Sequence, residues 1–305
     1  MAAALPAQAD SIGAPFSQYY TLTTVARPAG LMGGFGVGEI LFDPADPNQL
    51  WMGEFASFNS GEVVDSAVMR DPATNNITGF MGSLSVVDST PFIDGGLTYG
   101  PGNYLYFTQY PNNTIGEIAP GHTSATYTVA TGTGASPGGL AFIPAGFGGA
   151  GNATISNYTG DFICSAAVSQ AGDGSYTFGT CGNTVNLGYT PEGLLYVPAG
   201  TPGFNANSIL IDDFSNSDSA GQVVAYQTDA NGMPILATGS TLVSGIAGAE
   251  GIAIDPVTGE ILVSTYNSNT WDVLTPSGAP EPRSMALAAA GILALAVLRR
   301  RRRKS

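Results

Sequence analysis

The chain has 305 residues and a formal net charge of −14, but seven of its nine basic residues stand after residue 282. The body before Pro280 holds two arginines, Arg27 and Arg70, against 22 acids, a net charge of −20 that repels phosphate and excludes nucleic acid as a natural partner. Apolar residues at 44% are enough for a core, and 42 glycines and 20 prolines with scarcely any helical periodicity point to an all-β body of short strands and turns.

At the N-terminus, Ala7-Gln8-Ala9 is a small-x-small cleavage site, and residues 1–9 read as what remains of a signal peptide. The segment 19–25 is strand-like and precedes the first of a series of repeats. Each repeat begins with a glycine or acid followed by an apolar strand: Gly38-Glu39-Ile40-Leu41-Phe42, Gly95-Gly96-Leu97-Thr98-Tyr99, Gly138-Gly139-Leu140-Ala141-Phe142, Glu192-Gly193-Leu194-Leu195-Tyr196 and Glu250-Gly251-Ile252-Ala253-Ile254. A second apolar strand then ends in a polar-aromatic pair: Glu54-Phe55, Gln109-Tyr110, Asn157-Tyr158, Asp213-Phe214 and Thr265-Tyr266.

Strands that are apolar on both faces must be buried on both faces, so five repeats of such strands predict a β-propeller of five four-stranded blades over residues 10–274, with six blades as the alternative count. A β-sandwich or a right-handed β-helix is the structural alternative. The last repeat lacks its outermost strand, and residues 19–25 can supply it, closing the ring. The aromatic of each repeat is expected between neighbouring blades. Cys164 and Cys181 flank a turn at Gly172-Asp173 symmetrically, and a hairpin there would bring them into disulfide range.

The stretch from Glu250 to Asn267 resembles the blades of NHL-type and gluconolactonase-like propellers. In the lactonase family, carboxylates and amides hold a cation on the face where inner strands begin and second strands end. The resemblance implies that Glu39, Glu192 and Glu250, with Glu54, Asn157 and Asp213, could hold Ca²⁺, which prefers hard oxygen ligands; two blades place glycine pairs where the others have an acid. No catalytic constellation is marked. His122 is the single histidine, which leaves little for a Ser-His-Asp triad or a histidine-ligated zinc, and a paired-carboxylate glycosidase has no distinguishing spacing.

At the other end, Pro280-Glu281-Pro282 in a linker of residues 275–283 precedes an apolar run, 284–298, and a basic tail, 299–305, containing Arg299, Arg300, Arg301, Arg302 and Arg303. Fifteen apolar residues make a transmembrane helix of roughly 22 Å, short of the ~30 Å hydrocarbon core, and the cationic block places the tail in the cytoplasm and the body across the membrane. These three ordered elements resemble the PEP-CTERM sorting signal of Gram-negative bacteria. That resemblance implies transient inner-membrane insertion, cleavage by an exosortase, and delivery to the cell surface or the extracellular polysaccharide. A binding or structural role is the resulting expectation for the body, with a Ca²⁺-dependent lactonase or related hydrolase as the alternative.

Overall fold

The computed structural model describes residues 10–31, 37–57, 60–134, 137–214, 221–266 and 268–278. The signal-peptide segment and the whole sorting region from Pro280 onward lie outside the described residues, among which no helix is long and apolar enough to cross a membrane.

Two strands precede the repeats, β1 (Ser11–Ile12) and β2 (Tyr20–Ala26). Blade one comprises β3 (Val37–Phe42), β4 (Gln49–Ser57), β5 (Ser60–Arg70), β6 (Ile77–Phe80) and β7 (Ser85–Ser89), the last two sharing β5 as their neighbour. Blade two is β8 (Ile93–Tyr99), β9 (Leu105–Gln109), β10 (Thr114–Ile118) and β11 (Tyr127–Ala130). Blade three is β12 (Pro137–Phe142), β13 (Ala153–Asn157) and β14 (Phe162–Ala166), then a separate hairpin of β15 (Val168–Gln170) and β16 (Tyr176–Phe178), then β17 (Gly182–Asn186) back on β14. Blade four is β18 (Pro191–Val197), β19 (Ser208–Asp213), β20 (Gly221–Gln227) and β21 (Ser240–Ile246); blade five is β22 (Ala249–Ile254), β23 (Ile261–Thr265) and β24 (Thr270–Pro276).

The inner strands close a ring of five. β3 packs on β8, β8 on β12, β12 on β18, β18 on β22, and β22 returns to β3. Five apolar clusters fill the wedges between blades, because each sheet is covered on both faces; Ile40, Met52 and Val64 of blade one, for example, meet Leu262, Trp271 and Val273 of blade five. That is why the inner and second strands read as unbroken apolar runs rather than as an alternation.

The ring is sewn shut by β2, which pairs antiparallel with β24 from Tyr20↔Pro276 to Ala26↔Thr270. β1 extends the closure further by adding Ser11 and Ile12 to the outer edge of blade four. The expected cysteine hairpin is interrupted: β15 and β16 form its tip around Asp173, while Cys164, in β14, is joined to Cys181, just before β17, with Cα atoms 5.5 Å apart. The β15–β16 hairpin thus leaves the sheet of blade three and is held at its base by the disulfide.

Candidate functional site: the carboxyl-lined channel mouth

Every inner strand carries a register shift at its start, between Val37 and Ile40, Ile93 and Leu97, Pro137 and Leu140, Pro191 and Leu194, and Ala249 and Gly251. A bulge releases residues from the regular ladder and re-aims their side chains. Here it frees the repeat's opening residues, so Glu39, Glu192 and Glu250 leave the blades for the channel. All three are buried, at 3%, 5% and 7% exposure.

Glu39 ties blades together. Its Oε1 accepts the backbone N–H of Ile252 in blade five at 2.7 Å and that of Ile40 at 3.2 Å. Its Oε2 has no partner, and neither does Oε2 of Glu192 or of Glu250. Glu192 crosses the channel. Its Oε2 lies where a Cβ on Gly95 or on Gly138 would sit, so the glycines of blades two and three are the space that the blade-four carboxyl occupies.

Two acids that the repeat pattern did not single out complete the group. Asp94 stands at the bulge of β8, and Asp212 lies in β19, fully buried with both oxygens unpartnered. Thr108, Ser156 and Ser264 occupy the equivalent position of Asp212 in three other blades. Each donates its hydroxyl to the start of the next inner strand: Thr108 to Gly138 O at 2.7 Å, Ser156 to Glu192 O at 3.2 Å and Ser264 to Gly38 O at 3.3 Å. A carboxyl can copy that bond only when protonated.

The electrostatics run the same way. Burial, slightly offset by the donors to Oε1, pushes the Glu39 carboxyl up to about 8, and burial pushes Asp94 up to about 7. Glu192 is pushed well up by burial and then by Glu250, Asp94 and Glu39; Glu250 by burial and then by Asp94, Asp212 and Glu39; Asp212 by burial and then by Glu39 and Glu192. Carboxyls withdrawn from water that raise one another in this way share a common space and prefer the neutral form.

Asn157 and Asp213 are engaged within their own hairpins. Asn157 Oδ1 accepts the Gly160 N–H at 2.7 Å, and Asp213 Oδ2 accepts from Gln222 Nε2 at 3.2 Å. Glu54 is buried at the end of the second strand of blade one. As they stand, no three His, Cys, Asp or Glu side chains among the described residues are grouped closely enough to hold a metal ion. The set is chemically suited to a hard cation, but its present spacing is not that of a coordination shell.

Around the carboxyls stands an aromatic arc formed by the repeat's polar-aromatic ends. Tyr158, Phe214 and Tyr266, from blades three, four and five, pack edge to face with ring centroids 5.8 Å and 5.4 Å apart. All three rings are half-buried. Burial, with Glu250, Asp94 and Tyr158 nearby, raises the Tyr266 hydroxyl, placing this ring beside the carboxyl group cluster.

The architecture and site define a five-bladed β-propeller with a carboxyl-lined channel. No protein-family model matches the chain, and no curated protein matches it. Among solved structures it is similar to an auxiliary nutrient binding protein from Bacteroides ovatus, at 14% identity and a TM-score of 0.44, covering 85% of this chain and 77% of that one. It is also similar to a glutaminyl cyclase from Myxococcus xanthus, at 12% identity and 0.47, covering 85% and 98%, and to a streptogramin B lyase, at 11% identity and 0.41, covering 85% and 99%. These likenesses are of fold.

Proposed function

We propose that this chain is an exported propeller of the cell surface or extracellular matrix, sorted and processed through its Pro280-Glu281-Pro282 signal by an exosortase, and that its role is to bind extracellular polysaccharide at the channel mouth. The arc Tyr158–Phe214–Tyr266, whose Tyr266 stands near Glu250 and Asp94, carries this reading. A sugar ring offers C–H faces to aromatic rings and hydroxyls to carboxyls, and a neutral carboxyl both donates and accepts. A body of net charge −20 favours a neutral glycan over a polyanionic one. Electrophoresis through gels containing the host's neutral extracellular polysaccharide tests the binding. The propeller should be retarded, and Tyr266→Ala should lose at least fivefold in affinity while melting at the same temperature; migration independent of the polysaccharide refutes the reading.

A second reading, a Ca²⁺-dependent lactonase, is favoured by the unpartnered oxygens of Glu39, Glu192 and Glu250. It requires these groups to draw together around the ion. Ca²⁺ should then raise the melting temperature more than Mg²⁺ at equal ionic strength, and Glu192→Gln should abolish the difference. Equal effects of the two ions, with no lactone turnover, exclude it.

A further inference from the structure

The channel has a second chemistry at its other end. From the carboxyls toward the face where the inner strands finish runs a cavity of about 530 Å³, within the ~300–1,000 Å³ of small-molecule sites. Its waist is a ring of one aliphatic side chain per blade, Ile40, Leu97, Leu140, Leu194 and Ile252, each contributed by the same position of the repeat. Along blade one the lining extends from Glu39 to Pro44 and Pro47, so the cavity follows a whole inner strand, roughly 16 Å at ~3.3 Å per residue. It reaches the surface beside Pro44 and Pro256, both exposed.

One polar group marks the inner end. Glu39 lines the cavity, is 3% exposed, and keeps Oε2 without a partner while Oε1 is fully used by backbone N–H groups. A buried carboxyl oxygen with no partner costs free energy that a ligand can recover. A hydroxyl suits it in either state, donating to a carboxylate and accepting from a carboxylic acid. The lining is long and mostly aliphatic, which suits a single unbranched chain.

We infer that this cavity is a binding site for an unbranched aliphatic alcohol, its chain held by the five-residue aliphatic ring and its hydroxyl against Glu39 Oε2. The site shares Glu39 with the carboxyl group, but its chain-holding wall runs from there toward the opposite face, and it does not depend on the polysaccharide role proposed at the mouth.

Displacement of the fluorescent probe 1-aminoanthracene from the purified propeller tests it. Decanol should displace the probe and butanol at the same concentration should not, since butanol leaves most of the ring uncovered; decane, lacking the hydroxyl, should compete at least fivefold less well than decanol. Thr98→Trp fills the strand-end opening from blade two, where Thr98 is half-buried, and should weaken both probe and decanol at least tenfold. If that variant fails to fold, Leu195→Trp fills the same opening from blade four. Glu39→Gln, which retains one carbonyl oxygen for the backbone donors, should shrink the preference for decanol over decane. The inference is overturned if probe binding persists in the plugged variants, if chain length has no effect, or if decane and decanol compete equally in the unmodified protein.

Discussion

The guanidinium of Arg70, at the end of β5 in blade one, holds both carboxylate oxygens of Asp255, just after β22 in blade five, at 2.6 and 2.9 Å. Asp255 is fully buried and Arg70 nearly so. The same arginine donates to Asn48 Oδ1 and to the carbonyls of Pro47 and Asn75. Beside it, Glu260 of blade five accepts the Ile77 N–H of blade one at 2.7 Å. This seam joins the first and last blades, so the pair adds a side-chain closure to the strand closure made by β2.

Removing Arg70 leaves the Asp255 carboxylate buried and unpaired. Arg70→Ala should therefore cost about 3–5 kcal/mol of unfolding free energy, the range for breaking a buried pair, measured by urea denaturation. Burial pushes the Asp255 carboxyl up, but Arg70, Thr258 and the Val257 N–H outweigh it and hold it below the usual range. Its contribution is thus present above the unfolded value and is lost as pH falls through the folded one. The variant should accordingly show a shallower loss of stability in acid than the unmodified protein.

Deleting residues through Ala26 should open the ring. Tyr20 and Val25, at 1% and 8% exposure, are buried by β2, and side chains of that size contribute ~1.5–3 kcal/mol each. At ~2–4 °C per kcal/mol for a domain of this size, the melting temperature should fall by roughly 10 °C or more. β24 becomes an unpaired edge, and the truncated protein should associate with itself through it. A truncated chain that melts like the full one would place the closure elsewhere.

Gly95→Ala tests the path of Glu192 across the channel. A methyl there collides with the Glu192 carboxyl, whose Cδ lies 3.2 Å from the new Cβ, and the next contact is Gly138 C at 3.3 Å. Overpacking of this kind costs about 1–3 kcal/mol. In a Glu192→Ala background most of that cost should vanish. Additive effects of the two substitutions in a double-mutant cycle would show that Glu192 does not lie over Gly95.

The buried carboxyls set the pH dependence. Glu39 and Asp94, pushed up to about 8 and about 7, bind protons in the folded chain that the unfolded chain has released. Asp272 in β24, pushed up to about 8 by burial and by Asp10, adds to them. Stability from such groups is fully present below the unfolded carboxyl values and is lost as pH rises through the folded ones. With a chelator present, the melting temperature should peak in mild acid and fall between about pH 5 and 8. Asp212→Ser installs the hydroxyl that three other blades use and should raise stability at pH 8 by about 0.5–2 kcal/mol, the usual range for substitutions toward a consensus. Differential scanning calorimetry across that range checks both statements.

The ring, its count of five blades and its closure by an N-terminal strand were legible in the sequence, because a strand buried on both faces must be apolar throughout and because the last repeat visibly lacks its outer strand. β1 was not: two residues, Ser11 and Ile12, carry no periodicity. Glu39, Glu192 and Glu250 were marked by their place before the repeat's Leu or Ile, but the bulges that aim them into the channel leave no mark of their own. The glycine pairs that replace acids in blades two and three looked like gaps in the site; Gly95 and Gly138 are instead the room for Glu192. Asp212 was readable in principle, since Thr108, Ser156 and Ser264 fill its position elsewhere, yet aligning the strand ends on Asp213 and its aromatic neighbour drew attention one residue too far. The interrupted hairpin between Cys164 and Cys181 follows from exposed, polar segments whose pairing no buried face dictates.

The central proposal is that the propeller works outside the cell after losing its tail. The direct measurement is the intact mass and location of the protein in its native host, with and without the exosortase. The mature protein should be recovered from the cell surface or matrix lacking Arg299 through Lys304, and without the exosortase it should stay in the inner membrane at a mass that includes them. A surface protein that keeps its basic tail, or processing that is unchanged when the exosortase is absent, would contradict the account.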